Sequence, residues 1–304
     1  DAPADARDAA TPAPRADACR AERCIEDAQY RWELVQSTDY DPTGEVPSAG
    51  WWLRRVGKDG GSDVRWYLGI KEHRPYALRP ASAPFVADGE LRLPVRRAEI
   101  RGPIAFPPVG LDITRDGEPK LLVATLDDIA RDSDGDGLTD LAEQQLLLDP
   151  HVADSDGDGI VDGADPLPNV AYRTSPGGTT PFVAALKSLL DAPDRAISFG
   201  VPGSDAFARR RSGNERTLYL VADPVLVEGV GSDVRIIVLP PSLDLRTLHA
   251  NAAFSLSFPM HTSFRRLDER RAEFVYSFGW RGGTLALELR DGVWRIGELE
   301  GWIT

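Results

Sequence analysis

The sequence predicts a β-rich α+β fold: an N-terminal antiparallel β domain, a short acidic spacer, and a C-terminal α+β domain whose helices come first and whose curved antiparallel sheet follows. Three observations lead to this prediction. Short alternating apolar runs, separated by Gly and Pro turns, fill residues 30–126. A dense cluster of aspartates follows, and beyond it an amphipathic segment precedes several hairpin-forming runs. The chain of 304 residues is long enough for about two such domains.

The predicted organisation begins with an N-terminal tether. We divide the chain into a disordered tether at 1–18, a β-rich domain at 19–125, the spacer at 126–168 and the α+β domain at 169–304. The tether is almost entirely Asp, Ala, Pro and Arg, which cannot bury a core. It has no apolar signal-peptide region, and such a start is typical of a mature exported protein held to a lipid or a surface. A cytosolic protein with a flexible tail is the alternative.

The two cysteines and the shortage of lysine bear on the compartment. Cys19 and Cys24 have four residues between them, which is not the spacing of a zinc or redox pair. We therefore expect a local disulfide, with two free thiols as the alternative. Only four of the 35 basic residues are Lys, which indicates a bacterial genome rich in G and C. The expected location is the extracellular space or periplasm of a bacterial envelope.

Six short runs predict the strands of the first domain, which we interpret as a small β-sandwich or barrel. They lie at 30–35, 51–56, 64–70, 90–95, 99–104 and 121–126. An aromatic cluster, Trp51, Trp52, Trp66 and Tyr67, lies within them. We interpret these rings as core and cross-strand packing, and a carbohydrate-stacking platform is the alternative.

The second domain is predicted to open with a helix. Residues 180–190 carry an apolar stripe, with Thr179 or Thr180 as the N-cap and Pro181 in the first turn. A further helix is predicted at 205–211, and strands at 217–227, 234–239, 254–258, 273–278, 284–289 and 293–299. Gly-rich turns at 281–283 and 291–292 separate the last runs as in hairpins.

The end of the chain, SFGWRGGTLALELRDGVWRIGELEGWIT, resembles the terminal hairpins of cone-shaped domains similar to nuclear transport factor two and the SnoaL-like proteins. The resemblance covers 179–304 and rests on helices followed by strands with a Gly-x-Trp turn. It implies the cone fold. It implies no particular function, since that fold serves enzymes, binding modules and scaffolds alike.

The net charge of −13 is concentrated in one window. Residues 127–165 hold twelve Asp and one Glu against one basic residue, Arg131, so this window accounts for −12 of the total. An acidic chain of this kind is not predicted to bind nucleic acid. No run approaches the ~18 apolar residues of a membrane helix, so we predict no membrane span.

The first acidic loop, residues 132–143, reads DSDGDGLTDLAE and matches the D-x-D-x-D-G-x5-E calcium pattern. Calcium takes about seven oxygen ligands, and alternating aspartates on a curled backbone converge on one point. Gly137 permits the sharp turn. The predicted ligands are Asp132, Asp134, Asp136, the carbonyl of Leu138, Asp140 directly or through a water, and Glu143 with both oxygens.

The second acidic loop, residues 154–165, reads DSDGDGIVDGAD and repeats the pattern twenty-two residues later. Its predicted ligands are Asp154, Asp156, Asp158, the carbonyl of Ile160, Asp162 at the water-side position and Asp165. The final position is Asp rather than Glu, and Pro166 and Pro168 prevent a helix from following. The pair is therefore not predicted to open and close as a sensor does.

Residues 132–168 as a whole resemble the bacterial thrombospondin type 3 repeat family, including the Asp-Pro pairs at 149–150 and 165–166. The resemblance implies an extracellular spacer that stacks around buried calcium ions. It also makes Asp149 a candidate ligand of the second or of an intervening ion, with a helix C-terminal stop as the alternative. Dockerin modules also repeat at this spacing, but they need a helix after the second loop.

These observations predict an exported calcium-binding structural or interaction protein. Two or more Ca2+ are expected to rigidify the junction between the domains, and the expected partner is another exported or envelope protein. The alternative is a secreted hydrolase or small-ligand binder with a C-terminal pocket that uses His249, His261, Asp205 or Tyr276. No nucleophile elbow, His-Glu zinc motif or phosphate loop occurs in the sequence, so catalysis is not favoured.

Overall fold

The computed structural model describes most of the chain apart from its N-terminus and several connecting segments. The described residues are 23–38, 49–71, 76–79, 84–100, 113–114, 118–171, 179–190, 217–228, 230, 235–243, 259–278 and 281–303. The predicted tether, Cys19, the helix at 205–211 and the strand at 254–258 lie outside these residues. Cys24 is disulfide-bonded, and Cys19 is the other cysteine of the sequence.

The N-terminal part consists mainly of two antiparallel sheets, and the β-rich prediction is confirmed. The first sheet is a meander in the order β1 (Cys24–Glu26), β2 (Tyr30–Thr38), β3 (Ala49–Gly57) and β4 (Asp63–Lys71). The second contains β5 (Tyr76–Leu78), β6 (Val86–Ala87), β7 (Glu90–Arg97) and β10 (Lys120–Thr125), with β7 pairing the other three. A separate pair joins β8 (Glu99–Ile100) to β9 (Ile113–Thr114).

Alternation along the strands produces the N-terminal core, because successive side chains point to opposite faces of a sheet. Leu34 and Leu53 pair across β2 and β3 and pack with Leu91 and Leu93 of β7. The four rings of the aromatic cluster likewise divide between the two faces of the first sheet. Trp51 and Trp66 belong to this core, whereas Trp52 contacts Tyr67 at a centroid distance of 5.4 Å. The rings therefore do not form one stacking platform.

The C-terminal part contains a helix and a six-stranded sheet. The helix α3 spans Pro181–Leu190, and Thr180 accepts a hydrogen bond from the backbone N–H of Val183 at 3.2 Å. The strands are β11 (Thr217–Val221), β12 (Arg235–Leu239), β13 (Met260–Arg266), β14 (Arg271–Phe278), β15 (Arg281–Arg290) and β16 (Val293–Ile303). Their order in the sheet is β12-β11-β13-β14-β15-β16.

Two predictions for this sheet are wrong. The sheet is not antiparallel throughout, because β11 runs parallel to both β12 and β13. The run predicted as a strand at 217–227 ends at Val221, and α4 (Pro224–Val227) follows it. Pro224 cannot donate to a strand ladder, and the side chain of Asp223 caps the new helix through the N–H of Val225 at 3.1 Å.

The spacer contains three short helical segments. These are α1 (Leu126–Ile129), α2 (Asp140–Leu146) and a 3-10 helix at Asp162–Ala164. Thr125 caps α1 and Thr139 caps α2, each through a backbone N–H three residues ahead. The helix α2 ends at Leu146, and its C-cap Leu147 adopts a left-handed conformation with φ of 63°. Asp149 and Pro150 follow shortly after this cap.

The two faces of the C-terminal sheet are covered by different parts of the chain. Leu218, Leu220, Ile236 and Val238 pack with residues of α3. The alternate residues of the same strands pack with the spacer. That second cluster consists of Leu138, Leu146, Leu148, Tyr219, Val221, Ile237 and Leu239. The spacer therefore packs on the sheet as a layer, unlike a flexible linker.

Hydrogen bonds also attach the spacer to this sheet. The Tyr219 hydroxyl donates to the carbonyl of Gln145 at 2.8 Å, at the end of α2. The N–H of Ile236 donates to the carbonyl of Pro166 at 2.7 Å. Beyond the spacer, the Asn169 side chain exchanges two hydrogen bonds with the backbone of Val238. The second loop is thus fixed along the edge strand β12.

The spacer also contacts the N-terminal sheets. Ile129 of α1 is 3 % exposed and belongs to the N-terminal core. Helix α2 lies against β4, where Gly69 has a φ of 66° and a Cβ at this position would lie 3.5 Å from Cδ2 of Leu141. Among the described residues, no helix is long and apolar enough to cross a membrane.

Replacing Tyr219 with Phe is expected to lower the free energy of unfolding by about 1–2 kcal/mol, because the buried carbonyl of Gln145 loses its donor. Urea denaturation in a buffer that contains calcium measures this change. Tyr276→Phe is the control, since Tyr276 is a half-buried tyrosine of the same sheet that packs on the α3 side. Equal losses in the two variants would show that the hydroxyl of Tyr219 does not hold the spacer.

Candidate metal centre

The two acidic loops have the same internal hydrogen bonds. In the first loop, Asp132 accepts from the backbone N–H groups of Gly135 at 2.8 Å and Gly137 at 3.0 Å. In the second, Asp154 accepts from Gly157 at 2.8 Å and Gly159 at 2.9 Å. Gly137 and Gly159 share a φ of 95°, which a residue with a Cβ rarely adopts. The repeated sequence therefore folds into a repeated backbone.

A serine and an aspartate close each loop. The N–H and hydroxyl of Ser133 donate to the two oxygens of Asp140, both at 2.9 Å. Ser155 donates in the same way to Asp162, at 2.8 and 2.5 Å. The ninth position of each loop is thus tied back to the second, which narrows the loop around its carboxylates.

Each loop brings its first three aspartates together. Asp132, Asp134 and Asp136 place one carboxylate oxygen each within 4.8 Å of the others. The second loop does the same with Asp154, Asp156 and Asp158. Six predicted ligands therefore lie in two clusters, as their alternating spacing predicts. The carbonyls of Leu138 and Ile160 follow these clusters, and the N–H of each residue donates back to the third aspartate of its own loop.

A third acidic group joins the two loops, and the sequence did not predict it. Asp136 and Glu143 of the first loop lie with Asp162 of the second, again within 4.8 Å. All three are buried. The N–H of Gly163 donates to Asp136 at 2.7 Å and connects the loops directly. Asp162, which the sequence places at the ninth position of the calcium pattern, is 0 % exposed because the second loop packs on the first.

Several of the buried carboxylate oxygens have no hydrogen-bond donor among the residues that the structure describes. These oxygens are Oδ2 of Asp134, both Oε atoms of Glu143, Oδ2 of Asp156 and Oδ2 of Asp165. Glu143 and Asp165 are both 0 % exposed. A buried carboxylate without a donor is costly, and a bound cation would balance it.

Burial and mutual repulsion disfavour the charged state of these groups. Burial raises the pKa of Glu143 to about 8, with further increases from the negative charges of Asp134 and Asp136. Burial likewise raises the pKa of Asp156 to about 6 and that of Asp165 to about 7. These increases in pKa arise from the protein's own groups, so a bound cation of charge +2 would oppose each increase.

A buried arginine lies beside the second loop. Arg235 of β12 is 2 % exposed, and its Nη2 lies 3.5 Å from the carbonyl oxygen of Asp162 and 3.4 Å from that of Gly163. Its positive charge opposes the rise in the pKa of Asp165. Sequence reasoning missed Arg235, because it lies some 70 residues beyond the loop in a run that otherwise consists of apolar residues.

The remaining predicted site residues do not converge. Asp149 accepts from the N–H of His151 at 3.1 Å and is not part of the acidic groups found in the described part of the chain. His261 and Tyr276 lie on opposite faces of the sheet, because Tyr276 pairs with Thr262, the next residue after His261. A pocket that uses both is therefore excluded, and His249 and Asp205 lie outside the described residues.

The ligand set fits a hard cation. Every candidate atom is a carboxylate or carbonyl oxygen, which calcium and magnesium prefer over softer metals. The glutamate at the end of the first loop is long enough to reach back across it. Comparisons of the chain with protein-family models, curated proteins and solved structures found no match.

Proposed function

We propose that this chain is an exported calcium-binding structural protein in which the two acidic loops bind Ca2+ and rigidify the junction between a β-rich N-terminal domain and a C-terminal α+β domain. Asp132, Asp134, Asp136 and Glu143 would hold the ion of the first loop. Asp154, Asp156, Asp158 and Asp165 would hold the ion of the second. The resemblance to thrombospondin type 3 repeats agrees with such a spacer, and the cone shape of the C-terminal domain stays a prediction.

The observation that carries this proposal is the set of buried carboxylate oxygens without donors. Glu143 is the strongest case, since it is 0 % exposed and neither of its oxygens has a donor within the described ranges. Acidic loops in solution are common without an ion, but they hydrate their carboxylates rather than bury them. A bound cation would supply positive charge beside Glu143.

The proposed mechanism is mechanical bracing. A cation in the first loop would fix α2, which contacts β4 on one side and the C-terminal sheet on the other. A cation in the second loop would fix the segment that bonds to β12. Extracellular sites of this type bind at roughly 10⁻⁴ to 10⁻³ M, so about 1 mM calcium adds about 1.4 kcal/mol for a site of 10⁻⁴ M.

The exported location and the partner are part of the same proposal. Millimolar calcium occurs outside the cytosol, where weak sites of this kind are occupied. The disulfide at Cys24 agrees with an oxidising compartment. The expected partner is another exported or envelope protein, which a rigid spacer would present at a fixed orientation. No catalytic role is proposed.

Equilibrium dialysis against about 1 mM calcium, followed by metal analysis, tests the proposal. We expect about two bound calcium ions per chain, and about one after the double change Asp154→Asn and Asp156→Asn. The control is Asp127→Asn, an exposed acidic residue outside both loops. It should leave the stoichiometry unchanged. A native chain that retains no calcium above the dialysis buffer would contradict the proposed function.

A further inference from the structure

The two loops contribute unequally to the acidic group that lies between them. Asp136 and Glu143 come from the first loop, and Asp162 comes from the ninth position of the second loop. The corresponding residue of the first loop, Asp140, makes the same hydrogen bonds to its serine. Asp140 is not part of the acidic groups formed by the described residues, and it remains partly exposed. Asp162, the ninth residue of the second loop, therefore lies in the shared acidic group, whereas Asp140, the ninth residue of the first loop, lies outside it.

The surroundings of Glu143 indicate that this acidic group binds a ligand. Its carboxylate is fully buried, and both oxygens lack a donor in the part of the chain that the structure describes. Carboxylate oxygens of Asp136 and Asp162 lie within 4.8 Å of one of its oxygens. A bound cation would stabilise the ionised form of these three carboxylates, one of which belongs to the second loop.

The backbone around Asp162 is fixed against the first loop. Ser155 holds both oxygens of Asp162 from within the second loop. The next N–H, that of Gly163, donates to Asp136 of the first loop at 2.7 Å. Asp162 therefore reaches the first loop only when the second loop has its folded shape.

We propose that Asp162 is a ligand of the divalent cation bound by the first loop, so that the first calcium site is complete only when the second loop is folded. The inference rests on the proposed calcium-binding function and adds to it a ligand that the two loops share. Damage to the ninth position of the second loop weakens both sites, whereas damage to the ninth position of the first loop weakens its own site.

Two backbone amides report the loops separately. The N–H of Gly137 donates to the first aspartate of the first loop, and the N–H of Gly159 donates to that of the second. A calcium titration of the full 15N-labelled chain, followed by NMR, gives a midpoint for each glycine. The variants are Asp162→Asn and its counterpart Asp140→Asn, which remove one charge and keep the side-chain volume.

We expect Asp162→Asn to raise the midpoints of both glycines, that of Gly137 by about tenfold because the first site loses a charged ligand. Asp140→Asn should raise the midpoint of Gly137 and leave that of Gly159 unchanged. If Asp162→Asn shifts Gly159 alone, the shared site is wrong while calcium binding stands. If neither glycine of the native chain responds up to about 10 mM calcium, far above the expected affinity, the proposed function itself is wrong.

A second pair of variants covers the case in which Asp162→Asn does not fold. Ser155→Ala removes the hydroxyl that holds Asp162, and Ser133→Ala removes the equivalent hydroxyl that holds Asp140. The charges of both loops stay the same. Ser155→Ala is expected to raise both midpoints about threefold, the effect of one hydrogen bond worth somewhat under 1 kcal/mol. Ser133→Ala should affect Gly137 alone, and equal single-loop effects from both variants would overturn the shared site.

Discussion

Removing calcium is expected to lower the melting temperature of the chain by about 6 °C at neutral pH. Under the proposed function, two sites of about 10⁻⁴ M at about 1 mM calcium would together contribute about 3 kcal/mol of binding free energy to the folded state. A change of about 1 kcal/mol shifts the melting temperature by roughly 2 °C in a chain of this size. Circular dichroism melts in calcium and in excess chelator measure the difference.

Limited proteolysis gives a second, local measurement of the same effect. Without calcium, the buried carboxylates of the spacer repel one another, so we expect faster cleavage between Asp127 and Pro168. Readdition of calcium should restore both protection and melting temperature, and this is the control for damage by the chelator. Melting and cleavage that do not change in excess chelator would contradict the bracing mechanism.

Replacing Arg235 with Met is expected to lower the free energy of unfolding by about 3 kcal/mol. Arg235 is 2 % exposed, and its guanidinium group lies beside the backbone carbonyls of Asp162 and Gly163. Its positive charge also acts on the buried carboxylate of Asp165. Removing one charge from a buried set leaves the others without compensation, which typically costs 3–5 kcal/mol. Met retains much of the side-chain volume, so little of the loss would arise from a cavity.

The matched control for this variant is Arg265→Met on β13 of the same sheet. The Arg265 side chain is 67 % exposed and pairs with Glu273 at 3.2 Å. Exposed ion pairs of this kind contribute about 0–1 kcal/mol, so urea denaturation should show little change. If the two variants lose similar free energy, Arg235 does not support the second loop in the way that its burial indicates.

The local parts of the site were predictable from the sequence, because a short loop fixes its own geometry. The aspartates at alternate positions and Gly137 at the turn define a backbone in which the carboxylates must converge. The same reasoning located the helix at 181–190 and the strands β2, β3 and β4 of the first sheet, where each pattern lies within one element. These features depend on neighbours in sequence.

The features that were missed depend on contacts between distant segments. The approach of Asp162 to Glu143 and the position of Arg235 arise from packing of one loop on another and on β12. The composition of β11 and β12 does carry a signal. Both strands, with the sequences TLYLV and RIIVL, are buried at every position. In a sheet with one face exposed to solvent, buried and exposed residues alternate along each strand. Such runs require cover on both faces, and they are typical of parallel strands.

The packing of the spacer on the C-terminal sheet affects where the chain could be divided. Tyr219, Val221, Ile237 and Leu239 are covered by leucines that precede residue 149. A fragment that begins at 169 would leave this apolar face open to solvent, a condition that favours self-association. The shortest piece able to fold alone therefore includes both acidic loops. In that sense the acidic repeat belongs to the folding unit that follows it, and a natural duplication or transfer of the C-terminal sheet would have to carry the repeat along.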